Sequence, residues 1–359
     1  MSHALRLGNL RQIMAEQQLQ AVLLTDRFSK YYFARLYSAS GYVLVTPDSQ
    51  TLLVDGRYIA ECREQSPEFE IRLLTDTAGL AQHLADIHSQ HPWSSLGIDG
   101  NHLSRQAWTS LATQCAFPLQ HWDTRHLRLI KQPDEIALIR TAASIADQAL
   151  RDVLPFIRPG ISEKKLADQI EMAVRQAGGS KTSFDTVVVS GVRSALPHGR
   201  PTDKLLATGE LVTIDFGAVF QHYCSDMTRT FALGQVSSEQ EKIYRTVQRA
   251  QQAARDAVRP GIRCQELDQL ARNIIEAAGY GDYFSHNLGH GLGLDVHEAP
   301  ALSPVNHQTL QPGMVVTIEP GIYIPGLGGV RIEDDVLVTE NGREVLTQSP
   351  REWQESCLA

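Results

Sequence analysis

Short apolar runs alternate with helical stripes over the first third of the chain. AVLLT (21–25), GYVLVT (41–46), TLLVD (50–54) and EIRLL (70–74) have the length and the aliphatic content of strands. Pro47-Asp48 marks a turn between the middle two. Leu5, Leu10, Ile13 and Met14 recur at helical spacing and predict an amphipathic helix before the first strand. An α/β domain over residues 1–124 accounts for this texture. No cluster of metal-type ligands stands out in it.

From Lys131 the texture changes. Pro133-Asp134-Glu135 opens a long helix, with proline early and acids in the first turn. Ile136, Ile139, Ala143, Ala146 and Leu150 mark its buried stripe, and it ends near Pro155. Ser162 caps a second helix that Gly178 closes. Ser238-Glu239-Gln240-Glu241 reads as the capping box of a third, and a fourth runs from about Cys264 to Gly279. Strand pairs follow the second and fourth helices. The expected boundary lies near residue 125, giving domains over 1–124 and 125–359.

The second domain repeats itself. LLATGELVTIDFG (205–217) and TLQPGMVVTIEPG (309–321) share six of 13 positions at an offset of 104, which places Asp215 against Glu319. CSDMTRT and VRIEDDV place Asp226 against Glu333 at an offset of 107, and IRPGISEKKL (157–166) matches VRPGIRCQEL (258–267) at 101. In LVTIDFG, Thr213, Asp215 and Gly217 share one strand face, while Val212, Ile214 and Phe216 face the helices. In VRIED, Arg331 and Glu333 share a face, with Val330 and Ile332 opposite. An acid flanked by β-branched residues is buried and needs a partner. One such acid is ordinarily met by a salt bridge or lies on an exposed strand face. Four at repeat-related positions point to a cage for two metal ions.

HNLGHGLGLDVHE (286–298) adds His286, His290 and His297 among glycines that let the backbone approach a ligand. One histidine with four carboxylates suits Mn²⁺, Fe²⁺ or Co²⁺ better than a thiolate-type zinc site, and no H-E-x-x-H is present. Two bridging carboxylates would hold the ions about 3.5–4 Å apart and acidify a bridging water to a hydroxide nucleophile.

Composition adds exclusions. The 359 residues carry a net charge of −8, which argues against a nucleic-acid surface, and no apolar run reaches membrane-span length. The first residues lack a secretory h-region. Five scattered cysteines, with no C-x-x-C, read as reduced thiols of a cytoplasmic protein.

The motifs together resemble the pita-bread metallopeptidases that include methionine aminopeptidase, prolidase and Xaa-Pro aminopeptidase. They are Pro197-His198-Gly199, TIDFG, SDMTRT, HGLGLDVHE, TIEPG and VRIED, in that order. Asp55-Gly56-Arg57-Tyr58 is similar to the creatinase/prolidase N-terminal domain. The resemblance implies an N-terminal α/β domain and a pseudo-twofold duplicated catalytic domain. It implies that Asp215 binds one metal, His290 and Glu319 bind the other, and Asp226 and Glu333 bridge. It further implies that Glu319 relays the proton, that His198 and His297 hold the scissile peptide, and that Arg331 orients the carboxylates. His286 resembles an additional histidine of proline-specific members.

The resulting expectation is an aminopeptidase that removes a residue preceding proline, with two divalent ions, foremost Mn²⁺, although Co²⁺, Fe²⁺ or Zn²⁺ would fit. The match is nearest to short enterobacterial-type aminopeptidases, and a homodimer is implied. The alternative is an Xaa-Pro dipeptidase (prolidase), and no motif separates the two. A metal-free binding module or creatinase-like hydrolase is a third reading, which the intact ligand set disfavours.

Overall fold

A computed structural model describes residues 3–75, 79–99 and 102–358. The chain divides into two compact units, Met1–Leu127 and Arg128–Ala359.

The first unit runs α1 (His3–Glu16), β1 (Ala21–Leu24), α2 (Arg27–Ala34), β2 (Tyr42–Val45), β3 (Gln50–Val54), α3 (Ile59–Gln65), β4 (Glu70–Leu73), α4 (Leu80–Gln90), β5 (Leu96–Ile98), α5 (Arg105–Gln114) and β6 (Leu119–His121). The strands form one sheet in the order β4-β3-β2-β1-β5-β6. Leu23, Leu44, Leu53, Leu84, Ile87 and Ile98 pack in its core. In α1, Leu7, Leu10 and Met14 face inward and Leu5 is exposed, so the apolar stripe is rotated from the one expected.

The sequence also gave no sign of a ligand cluster in this unit, and the fold corrects that. One ligand atom each from Asp26, Asp99 and His102 lie within 4.8 Å of one another. Asp26 and Asp99 follow β1 and β5, two neighbouring parallel strands, although they are far apart in the chain. Part of that set is already engaged. Asp26 caps α2 through the amides of Phe28 and Ser29, and Thr124 donates to Asp99 at 2.5 Å.

The second unit runs α6 (Pro133–Val153), α7 (Glu163–Gln176), β7 (Lys181–Thr182), β8 (Val187–Ser190), β9 (Leu211–Phe216), β10 (Ala218–Phe220), β11 (Tyr223–Cys224) and β12 (Met227–Leu233). It continues with α8 (Ser238–Ala257), α9 (Cys264–Ala277), β13 (Gly289–Gly291), β14 (Glu298–Leu302), β15 (Val315–Ile318), β16 (Gly321–Ile324), β17 (Gly328–Arg331), β18 (Asp334–Thr339), β19 (Gly342–Val345), α10 (Trp353–Ser356) and β20 (Cys357–Leu358). Two principal sheets result, β20-β12-β9-β8 and β14-β13-β15-β18-β19.

Each sheet is packed against its own helix pair. Val212, Ile214 and Phe216 of β9 join Ala146, Leu166 and Ile170 of α6 and α7 in one core. Val316, Ile318 and Val336 join Ile243, Val247 and Leu267 of α8 and α9 in the other. Each such aliphatic or aromatic side chain contributes roughly 1.5–3 kcal/mol when fully buried. The third helix is capped one residue earlier than expected: Ser237 Oγ accepts from the Gln240 amide, and Gln240 accepts from the Ser237 amide.

The duplication extends to single backbone hydrogen bonds. The Gly160 amide donates to Leu206 and the Gly261 amide to Leu310, at 2.9 and 2.8 Å. Glu163 donates to Lys204 and Cys264 to Gln308, at 3.0 and 2.9 Å. These pairs reproduce the 101 and 104 offsets of the sequence repeat. Both copies clamp the start of their second helix to the segment that precedes the strand leading to a carboxylate. Among the described residues no helix is long and apolar enough to cross a membrane.

Candidate metal centre

Alternation along β9 sends Ile214 and Phe216 to the helices and Asp215 to the opposite face. The partner strand β12 places Thr228 directly across from Asp215. Gly217 lets the chain turn there, because a side chain at that position would collide with the carbonyl of Ser225. Asp226 lies just before β12, and its backbone amide donates to Asp335 Oδ2 at 3.0 Å. In the second half, Glu319 follows β15 and Glu333 precedes β18. His290 sits in β13 between two glycines, and a side chain on Gly289 would strike the Thr317 carbonyl.

These residues line one cavity of about 920 Å³. Its walls include Asp215, Asp226, His290, Glu319 and Glu333, and also His198, His286, His297 and Arg331. All nine candidates from the sequence are therefore brought together. One ligand atom each from Asp226, His290 and Glu333 lie within 4.8 Å of one another.

The hydrogen bonds show which oxygens are committed. Arg331 donates to Asp215 Oδ2 at 2.6 Å, to the Tyr323 hydroxyl at 2.8 Å and to Thr228 Oγ1 at 3.0 Å. Thr228 Oγ1 donates to Glu333 Oε2 at 2.6 Å. Thr317 Oγ1 donates to Glu319 Oε1 at 3.1 Å. Asp215 Oδ1, Asp226 Oδ1, Glu333 Oε1 and Asp335 Oδ1 are buried and, among the described residues, accept no hydrogen bond. An orphaned buried carboxylate oxygen is costly, and the three that belong to cavity-lining residues, those of Asp215, Asp226 and Glu333, call for a cation.

The electrostatics agree. Burial first, then repulsion from Glu333 and Asp215, pushes the Asp226 carboxyl well above its ordinary range. Burial and the charges of Glu319 and Asp215 do the same to Glu333. Burial alone would also raise Glu319, but the His290 hydrogen bond and charge outweigh it and hold Glu319 low. His290 Nδ1 faces the Gly291 carbonyl at 3.1 Å, which makes it the donor nitrogen. Its Nε2 then points at Glu319 Oε1 (3.2 Å) and Asp226 Oδ2 (3.8 Å). Burial alone would lower the His290 pKa, but the contact with Glu319 outweighs it, so the metal-free ring is held as a cation that donates from Nε2, and a divalent ion would take that proton's place. The donor set of carboxylates and one imidazole suits divalent ions of the Mn²⁺ or Co²⁺ type.

Residues 137–340 match metallopeptidase family M24, and residues 6–130 match the creatinase/prolidase N-terminal domain. The chain belongs to metallopeptidase family M24. It is therefore a peptide hydrolase with a creatinase-type N-terminal domain and a pita-bread catalytic domain. It is similar to a solved Xaa-Pro dipeptidase from Bacillus anthracis, with 39% identity, a TM-score of 0.95, and 99% of this chain and 100% of that one covered. An Xaa-Pro dipeptidase from Pyrococcus furiosus is 39% identical over 97% of this chain and 99% of its own. A solved X-Pro aminopeptidase from Thermotoga maritima is 33% identical, with a TM-score of 0.88, and 96% of this chain and 98% of that one covered.

Within this M24 site, three kinds of residue escaped the sequence reading. Tyr323 accepts from Arg331 and faces His286 Nε2 at 2.9 Å. His286 Nδ1 faces the Asn287 carbonyl at 2.8 Å, so Nε2 is the acceptor and the Tyr323 hydroxyl donates to it. Burial lowers the His286 pKa, in keeping with that neutral tautomer. Thr228 and Thr317 each hold a carboxylate, and Asp335 holds the Asp226 backbone. The run Glu333-Asp334-Asp335 was a signal for the last. The threonines carried none. His297 is exposed, and its ring lies 4.4 Å from that of His290.

Proposed function

We propose that this M24 peptidase is an Xaa-Pro dipeptidase. The observation that carries the hydrolytic reading is the convergence of five metal-type side chains, with orphaned oxygens, on a cavity walled by three further histidines. The dipeptide reading is supported by the likeness to the two Xaa-Pro dipeptidases over nearly their whole lengths. The aminopeptidase expectation thus gives way to its alternative. It survives as a second reading because the Thermotoga maritima X-Pro aminopeptidase is also similar.

In this proposal residues 128–359 form the catalytic unit. Asp215, Asp226, His290, Glu319 and Glu333 would hold two divalent ions, with Asp226 and Glu333 placed to be shared between them. Mn²⁺ is the proposed resident. Bound there, such ions polarise the scissile carbonyl and make water acidic enough to attack it. Glu319 Oε1 already accepts from Thr317, so Oε2 is the atom that would take the proton from the attacking water. It passes that proton to the proline nitrogen as the amide breaks. His198 and His297 donate to the substrate carbonyls as negative charge develops. The Xaa-Pro amide has no N–H, so recognition falls on shape and on its carbonyls. Neutral His286, held by Tyr323, forms part of that wall. A cytosolic homodimer is proposed with it.

The test is hydrolysis of Ala-Pro and Ala-Pro-Ala by the Mn²⁺-loaded enzyme, with Ala-Ala as control. Faster cleavage of Ala-Pro is expected. Preference for Ala-Pro-Ala would restore the aminopeptidase reading, and preference for Ala-Ala would remove the proline assignment. Glu319→Gln should lower kcat by about 10²–10⁴-fold at full metal occupancy, and a loaded variant with normal kcat would exclude the proton relay.

A further inference from the structure

Among the described residues no hydrogen bond holds the His297 imidazole. Its place is therefore set by its backbone. That backbone belongs to the turn 292–297, which joins β13 to β14 and separates His297 from His290. At the base of the turn Gly291 pairs with Glu298 across the two strands. The rings of His290 and His297 end up 4.4 Å apart.

The centre of that turn is a buried charge. Glu298 Oε1 accepts from the Asp295 amide at 3.2 Å and from Arg128 Nε at 3.1 Å, and Oε2 accepts from Lys131 Nζ at 3.0 Å. Arg128 and Lys131 are themselves buried. Lys131 is anchored in turn, because its amide donates to the Gly313 carbonyl at 2.8 Å and the Gly313 amide to Val338 of β18 at 2.9 Å. On the other side, the Cys224 amide donates to the Gly293 carbonyl at 2.8 Å. A side chain on Gly293 would fall 2.7 Å from Glu298 Oε2 and 3.0 Å from Lys131 Cε, so the turn wraps the ion pair with no slack. Burial would raise the Glu298 pKa, but Lys131 and then Arg128 outweigh it and hold it low. The carboxylate stays ionised at the core of the turn.

We infer that Glu298, held by Arg128 and Lys131, is a positioning residue that sets His297 against His290 and so against the substrate. The inference rests on the role proposed for His297 and deepens it. His290 and His297 both line the cavity, whereas Glu298 is not part of its wall, so Glu298 acts through the turn. A buried ion pair is weak evidence of added stability, since apolar residues of similar volume commonly serve as well. An apolar plug, however, could not draw the Asp295 amide and two cations from residues 128–131 to one point. The charge therefore fixes the geometry of the turn, and an imidazole with no bond of its own inherits that geometry.

The experiment is a double-mutant cycle in the full-length Mn²⁺-loaded enzyme, with metal content measured in every variant. The substrate is whichever of Ala-Pro and Ala-Pro-Ala the wild type cleaves faster. Glu298→Gln keeps the size of the side chain and removes its charge. At full metal occupancy it should lower kcat roughly 10–100-fold, the cost of misplacing a group by about 1 Å, and change KM far less. In a His297→Ala background the same substitution should change kcat by less than about twofold, because residues that act as one unit are not additive. Losses that multiply, or a wild-type kcat in Glu298→Gln, overturn the inference. A wild-type kcat in His297→Ala instead removes the role of His297 on which the inference rests. If Glu298→Gln fails to fold, Gly293→Ala takes its place in the cycle, since its methyl group pushes the ion pair out of the turn and keeps both charges. A readout without turnover is the His297 ring resonance of the metal-free protein, assigned by its loss in His297→Ala. It should move in Glu298→Gln or Gly293→Ala, and an unmoved resonance overturns the inference.

Discussion

Glu333 and Asp334 are neighbours in the chain and almost wholly withheld from solvent, at 1% and 0% exposure. Their surroundings are opposite. Asp334 faces the α8 side, where Arg229, Arg255 and Arg351 reach it at 2.8, 3.2 and 3.0 Å, and Gln251 and Thr347 complete its shell. Burial would raise its pKa, but the three guanidinium groups overcome that and hold it far below the carboxylate range. Glu333 faces the cavity with Asp215, Asp226 and Glu319, and the guanidinium of Arg331 there is committed to Asp215. Its pKa rises. One acid is satisfied by the protein. The other is satisfied only when a cation arrives from outside. That contrast separates a stabilising buried acid from a functional one more sharply than burial does.

The largest expected effect tests the satisfied acid. Asp334→Asn leaves three arginines facing a neutral group and should cost about 3–5 kcal/mol of stability, measured by denaturant unfolding of metal-free protein. Because the folded pKa is depressed, the native contribution is fully present above the unfolded value near 3.9 and is lost as pH falls through the folded value. The gap between wild type and variant should therefore narrow below about pH 4. A gap that widened there would break the comparison.

Next comes the unsatisfied group. Asp226→Asn should reduce kcat at saturating Mn²⁺ by about 10²–10³-fold. The metal-free variant should nevertheless melt no lower than metal-free wild type, since a repelled buried charge has been removed. A marked fall in Tm would show that Asp226 is stabilising after all. Third, Mn²⁺ at 100 times its Kd should stabilise metal-free wild type by about 2.7 kcal/mol, and Asp226→Asn by less. Equal gains would place the ion elsewhere. Smallest is Arg140→Ala, which removes a half-exposed pair with Glu344 at 2.8 Å. It should change stability by no more than about 1 kcal/mol.

Much of the second unit was legible in the sequence because two regularities coincided there. Strand alternation assigned Asp215 and Glu333 to a face opposite their apolar neighbours, and the repeat multiplied each assignment by two. The convergence of the four repeat-related carboxylates on one cavity was therefore readable from the chain alone. Tyr323 did, because GIYIP reads as an ordinary buried strand, and only the fold turns its hydroxyl between Arg331 and His286. Thr228 was hidden for the same reason. In the first unit, β5 and β6 are three residues each, too short to show a period. The cluster of Asp26, Asp99 and His102 arises from parallel pairing of β1 with β5, a long-range event that no local pattern encodes. The misplaced cap shows a local limit: Ser237 and Ser238 both fit the motif, and the helix axis chooses between them.

Of the three consecutive acids, Glu333 lines the cavity, Asp334 meets the arginine cluster and Asp335 accepts from the Asp226 amide, with no residue to spare. For mutation, this makes length more dangerous than chemistry. Many single substitutions in the hairpin of β16 and β17 leave the reading frame of faces intact. A one-residue insertion or deletion before Glu333 would hand each acid its neighbour's environment, taking Glu333 out of the cavity and Asp334 away from its three arginines. A library of single-codon insertions and deletions across residues 325–332 should therefore be depleted of active clones far more deeply than a substitution library over the same span.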